Sequence, residues 1–228
     1  SPGARLLPIA LRADLLQGPS LAVRRLDLRL DRSRLQAAGS LVPTPDLRGE
    51  ATIAPQDLPL APRWQTLLPP VAVRFAWHPD RLQLDGVRSG PLVLSGVIPL
   101  TPVPGRGLAS RPVDLRLALT ELPLESLQPA LGLELHGVLT AAGHLRGPLG
   151  NLQPDLDLTI RDPGLGPVRL AETWSGDLTT RPAGSHRLQL RSASELRPGL
   201  LSAAFDHRWR PGALRLERGN GWLARAGP

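Results

Sequence analysis

The sequence predicts an all-β protein, folded as a meander of antiparallel strands, and three observations carry that expectation. Aliphatic and polar residues alternate in Leu26-Asp27-Leu28-Arg29-Leu30-Asp31, in Val113-Asp114-Leu115-Arg116-Leu117 and in Leu156-Asp157-Leu158-Thr159-Ile160. A strand turns successive side chains to opposite faces, so a period of two builds a sheet with one apolar and one polar face. The 228 residues include 26 Pro and 23 Gly, which leave no room for long helices. Turn-forming clusters separate the alternating runs, and the short connections they make join antiparallel neighbours.

Taken in order, the pattern predicts strands over 9–15, 21–31, 34–41, 47–53, 71–77, 81–84, 91–98 and 113–120. The second half predicts strands over 133–146, 155–161, 168–171, 176–180, 186–192, 201–209 and 213–218. Turns are expected at Gly39-Ser40, Asp85-Gly86, Asp162-Pro163-Gly164, Pro182-Ala183-Gly184 and Arg210-Pro211-Gly212.

The run Ile53-Ala54-Pro55-Gln56-Asp57-Leu58-Pro59-Leu60 is echoed by Leu117-Ala118-Leu119-Thr120-Glu121-Leu122-Pro123-Leu124, as repeat architectures require. Each copy leads into an insert with the composition of a short helix, 63–68 in the first and 125–131 in the second. Pro69-Pro70 stops one, and Pro129 is expected to interrupt the other. Two β-repeat segments result, 1–104 and 105–228, joined through the loose stretch Thr101 to Gly107. The start at Ser1-Pro2-Gly3, in mid-pattern and without Met, predicts a piece of a longer repeat protein with any anchor outside it.

Composition narrows the function. The net charge of +7 comes from 27 basic residues, all of them Arg. A guanidinium fork suits phosphate, on nucleic acid or on lipid head groups. The arginines lie scattered along the strands without a dense patch or interleaved stacking aromatics, so no nucleic-acid partner is expected. Aromatics are 3% with no Tyr, which leaves Leu, Val and Ala to form the apolar surface. The absence of Cys excludes disulfides, zinc ribbons and thiol catalysis. No run approaches the roughly 18 apolar residues of a membrane span, and no signal peptide is visible.

Candidate chemistry is sparse. His136 and His144 fall in one phase of a strand pattern, which puts both on its polar face, but no Asp, Glu or Cys completes a ligand set at a recognisable spacing. His78, His186 and His207 read as solvated surface histidines. No Gly-x-Ser-x-Gly elbow exists, and Ser95, Ser175 and Ser192 lie in or beside strands. Asp155 with Asp157, or Asp27 with Asp31, could be imagined as a glycosidase pair, but they are the polar half of the alternation. Gly143, Gly147 and Gly150 precede no helix, so they form no phosphate cradle. Trp64, Trp77, Trp174, Trp209 and Trp222 stand far apart, as core or rim residues do. The reading assigns no catalytic residue, metal or cofactor, and expects no enzyme.

One stretch carries a family resemblance. Leu122-Pro123-Leu124-Glu125-Ser126-Leu127-Gln128-Pro129-Ala130-Leu131-Gly132 leads into the alternating run 133–146, then Gly147-Pro148-Leu149-Gly150-Asn151-Leu152-Gln153-Pro154-Asp155-Leu156-Asp157-Leu158. This resembles the repeat of the TamB (DUF490) translocation and assembly module family, related to the AsmA-like proteins. There a short helix leads into a strand that ends in a glycine-spaced stretch, followed by an Asn and Pro joint and the next strand. Gly143, Leu145, Gly147, Asn151 and Pro154 are the matching positions. The match covers about a sixth of the chain well, and the dense proline and the missing hallmark C-terminal region depart from it.

The resemblance implies an elongated, curved antiparallel sheet whose apolar face lines a groove, in a periplasmic protein anchored in the inner membrane. It implies phospholipid acyl chains as cargo between inner and outer membranes, and an outer-membrane barrel protein of the assembly machinery as partner. The residues expected to line the groove are Leu26, Leu28 and Leu30, then Val71, Val73 and Phe75, then Leu82, Leu84, Leu92 and Leu94. Leu115, Leu117, Leu119, Leu133 and Leu135 continue it, with Leu156, Leu158 and Ile160 beyond. A second possibility is a scaffold that docks barrel precursors by strand addition and carries no lipid.

Overall fold

A computed structural model describes residues 9–18, 21–42, 44–58, 62–101, 110–149, 151–170, 172–180, 185–192, 199–210 and 213–225. For residues 63, 185, 199 and 201–225 only the backbone is considered. The strands form one antiparallel sheet and follow one another in chain order. They are β1 (Ile9–Gln17), β2 (Leu21–Leu30), β3 (Ser33–Ser40), β4 (Asp46–Ile53), β5 (Val71–Trp77), β6 (Arg81–Ser89) and β7 (Leu92–Pro99). Then come β8 (Pro112–Pro123), β9 (Leu135–Pro148), β10 (Gln153–Leu165), β12 (Thr173–Thr180), β13 (Ser185–Ser192), β14 (Gly199–Arg210) and β15 (Ala213–Arg225). The short β11 (Val168–Arg169) lies off this path and pairs with β10. Pairing runs unbroken from β7 to β8, so one sheet crosses the boundary between the two expected segments.

The sheet is curved, elongated and not closed. Its accessible surface is 14894 Å². A compact monomer of 24.5 kDa would expose about 10,000 Å². The excess is the signature of one layer with little packed against it.

Glycine and bulges shape that layer. Gly96 in β7 and Gly143 in β9 have φ of +151° and +150°, a region L side chains avoid. A methyl group on Gly96 would come within 2.6 Å of the Asp114 carbonyl oxygen, and one on Gly143 would strike that of Asp155. The missing side chains let neighbouring strands approach closely at these points, as curved sheets need. Bulges shift the register at Arg24-Arg25, Asp85-Gly86, Thr120-Glu121 and Asp162-Pro163.

Two of these sites correct the sequence reading. Asp85-Gly86 lies inside β6, and Asp162-Pro163-Gly164 lies inside β10; neither is a turn. A bulge, like a turn, demands residues that tolerate unusual φ, and Asp162 has φ +49°. The Pro182-Ala183-Gly184 and Pro211-Gly212 turns, and most of the stretch after Thr101, lie outside the described residues.

The helical inserts are short. The 3₁₀ turn Pro55–Asp57 and helix α1 (Pro62–Gln65) separate β4 from β5, while the 3₁₀ turn Leu124–Leu127 and helix α2 (Gln128–Leu131) separate β8 from β9. With strands alternating in direction, both inserts fall at one end of the sheet, where α1 and α2 meet. The Ser33 hydroxyl ties the first insert to β3, donating to Asp57 and accepting from the Ala54 N–H at 3.0 Å. Pro129 stands in the first turn of α2 and does not interrupt it, since that turn has no use for its missing N–H. Gly132, at φ +67°, ends the helix with its N–H on the Gln128 carbonyl at 2.8 Å.

Candidate functional site

Directly opposed residues in an antiparallel pair point to the same side, so the register fixes which residues share a face. Leu26 and Leu28 oppose Ala13 and Leu11 of β1 on one side, and Ala37 and Leu35 of β3 on the other. Leu30 opposes Ile9. Val71, Val73 and Phe75 oppose Ile53, Ala51 and Gly49 of β4. Phe75 also faces Leu84, and Leu82 stands between Trp77 and Ile98. Leu92 and Leu94 oppose Leu119 and Leu117, and Leu115 lies between Gly96 and Leu145. Leu156, Leu158 and Ile160 oppose Gly143, Ala141 and Leu139, and Leu135 opposes Leu165.

All the residues picked from the sequence for the lining therefore share one continuous face, with the exception of Leu133. That residue lies between α2 and β9, 51% exposed, because the left-handed turn at Gly132 delays the start of the strand. The bulges keep the face continuous. Val23 and Leu26 have opposite parity, yet Arg24-Arg25 absorbs the extra step and both turn to the apolar side. Beyond the predicted set, Val113, Trp174 and Leu190 extend the face.

Its burial is that of an open groove. Among the described residues no large side chain is fully shut from solvent, and of the predicted lining only Leu115 and Leu156 are buried. Trp77 stands on this face at 36% exposure and Leu11 at 63%. Trp174 is buried, and its indole Nε1 has no hydrogen-bond partner. His186 corrects the expectation of a solvated histidine: it lies on the apolar side, 2% exposed, its Nδ1 3.1 Å from the Thr180 hydroxyl. His207 lies where only the backbone is considered.

The opposite face is a charge ladder. Asp27 accepts from Arg34 Nε at 3.1 Å, and Arg29 approaches it at 3.8 Å. Asp114 pairs with His144 Nδ1 at 2.6 Å and Arg146 Nε at 3.2 Å, and Arg146 also reaches Asp155 at 3.2 Å. The Arg34 hydrogen bond pulls the Asp27 carboxyl below its ordinary range, and the His144 hydrogen bond, with Arg146, does the same for Asp114. Sequence spacing concealed these partners of His144, and likewise the 3.3 Å contact of His136 Nδ1 with Glu125, because they meet across strands or from the helical insert. Among the described residues no three His, Cys, Asp or Glu side chains gather as a metal site would need. A shallow hollow on this face brings Arg12, Arg25, Arg29 and Arg34 together with Asp14 and Asp27, so two carboxylates offset half of its positive charge.

No described helix is long and apolar enough to cross a membrane. Comparison with protein-family models, with curated proteins and with solved structures finds no match.

Proposed function

We propose that the apolar face is a conduit for phospholipid acyl chains between the inner and outer membranes of a diderm bacterium. In this reading the protein belongs with the TamB-like, AsmA-related group, resides in the periplasm and is held to the inner membrane by a segment outside this chain. An outer-membrane barrel protein of the assembly machinery is its partner, and it is not an enzyme. The observation that carries the proposal is the continuous aliphatic face from Ile9 to Leu190, on which partly exposed side chains such as Leu28, Val73 and Leu117 alternate with buried ones such as Val23, Leu115 and Leu190.

Such a face must be covered or wetted, and acyl chains cover it reversibly while head groups stay in water. Each CH₂ buried contributes about 0.8 kcal/mol, so a single chain supplies ample affinity without any specific pocket. Leu and Val lining suits mobile chains, since it presents few fixed polar contacts. The unpartnered Trp174 Nε1 is a donor that an ester carbonyl could satisfy.

The test is native mass spectrometry and lipid extraction of the purified protein, with paired variants. Leu117→Arg puts a charge on the apolar face and is expected to abolish lipid co-purification; Arg116→Glu, one residue away on the polar face, is expected to preserve it. Equal effects of the two changes, or a lipid-free parent protein, would leave the scaffold reading, in which the open sheet edges dock barrel precursors by strand addition.

A further inference from the structure

We propose that the polar face carries a binding site for a small polyol phosphate, a soluble phosphomonoester with a neighbouring hydroxyl, in the hollow where β7 and β8 part. Ser95, Arg116 and His144 are directly opposed across β7, β8 and β9, so they stand in one row on the polar face. The same three residues line the hollow, beside Val97, Pro99, Pro112 and Asp114. The site lies across the sheet from the apolar face and is independent of whatever that face carries.

The hollow follows from the register. The β7–β8 ladder ends at the Val97–Asp114 pair, while β7 runs on to Pro99 and β8 begins at Pro112. Neither proline has an N–H to give to that ladder. Arg111 Nη1 donates to the Pro99 carbonyl at 2.7 Å and bridges the two strand ends.

The polar groups of the row are unclaimed. Among the described residues neither the Arg116 guanidinium nor the Ser95 hydroxyl makes a hydrogen bond or an ion pair. The adjacent carboxylate is already taken: one oxygen of Asp114 meets His144 Nδ1 at 2.6 Å, and the other accepts from Arg146 Nε at 3.2 Å. These partners hold Asp114 ionised, and an ionised carboxylate only accepts, so Nδ1 carries the ring proton. In the neutral ring Nε2 is then an acceptor, and it has no partner among the described residues.

Two neighbouring donors with an acceptor one strand further on define the ligand. The guanidinium fork and the hydroxyl suit the oxygens of a phosphate, and Nε2 suits a ligand hydroxyl. Adjacent strands stand about 4.8 Å apart, a separation that a phosphate and the hydroxyl on the next carbon can span. Val97, Pro99 and Pro112 give the carbon skeleton an apolar wall, and a hollow of about 470 Å³ holds more than a bare phosphate.

Calorimetric titration of the full-length chain with glycerol phosphate is expected to show saturable binding, and n-propyl phosphate, which lacks the hydroxyls, is expected to bind more weakly. Arg116→Gln is expected to weaken both esters at least about tenfold, through loss of charge-assisted hydrogen bonds. Arg116 is exposed, so this variant should melt like the parent by circular dichroism. His144→Phe is expected to erase the preference for glycerol phosphate, and the parent's own preference between the two esters carries the same test if that variant fails to fold. Equal affinity of the parent for both esters, undiminished binding by Arg116→Gln, no binding at millimolar concentration, or binding of phosphatidylglycerol vesicles alone would each overturn the proposal. None of these outcomes alters lipid co-purification by the apolar face, which is read separately.

Discussion

At Gly143 a methyl group would run into the carbonyl oxygen of Asp155 on β10, and φ of +150° disfavours any L side chain. Gly143→Ala is therefore expected to cost about 1–3 kcal/mol, read as a lower urea midpoint. Gly86→Ala is the control: the nearest atom to its added methyl is Arg74 Nη2 at 3.9 Å, so its midpoint should stay within about 0.5 kcal/mol of the parent. The polar face predicts a pH effect. The folded-state pKa of Asp114 lies below its ordinary value of 3.8 because His144 and Arg146 bond its charged form. The stability it contributes is fully present above that value and is lost as pH falls through the lower, folded one. Asp114→Asn should lower the melting temperature at neutral pH and flatten the loss below pH 3.8. An acid limb identical to that of the parent would show that the cluster does not stabilise the fold.

Among the elements, the bulges hold the apolar face together, and they are testable one at a time. Glu121 has φ +51° and bonds Arg161 at 2.7 Å. Glu121→Val and Glu121→Gly lose the same exposed ion pair, but only Gly accepts that backbone without strain. The Gly variant is expected to be the more stable by about 1–2 kcal/mol in denaturant melts; equal stabilities would mean that the bulge relaxes at no cost. Strand order was legible because short connections join neighbouring strands, and most of the apolar face was legible because a period of two holds between bulges; Leu133, assigned to the face by that period, lies off it. His186 follows the same rule, since it shares parity with Leu188 and Leu190, although a lone histidine ordinarily reads as solvated. Bulges were not legible, because Asp85-Gly86 and Asp162-Pro163 have the composition of turns and only the partner strand shows that pairing resumes beyond them. The contact of His144 with Asp114 was equally hidden, since it depends on which strands lie side by side.

For the whole molecule the deciding quantity is the surface left exposed. From 14894 Å² of accessible surface, folding buries about three fifths of what the extended chain exposes, a fraction ordinarily found in domains of about 60 residues. A compact protein of this mass would bury about seven tenths. Denaturant sensitivity follows the area exposed on unfolding, so the urea m-value is expected at about four fifths of that for a globular protein of equal length. Scattering should agree, with a radius of gyration clearly above the roughly 17 Å of a compact 228-residue domain. Lipid loading supplies the internal check. Acyl chains on the groove bind the folded sheet and not the unfolded chain, so loaded protein should melt higher than stripped protein, by an amount that grows with free lipid. A full-sized m-value, a compact radius and lipid-independent melting would together mean that the apolar face closes on itself in solution, and the conduit reading would fall with it.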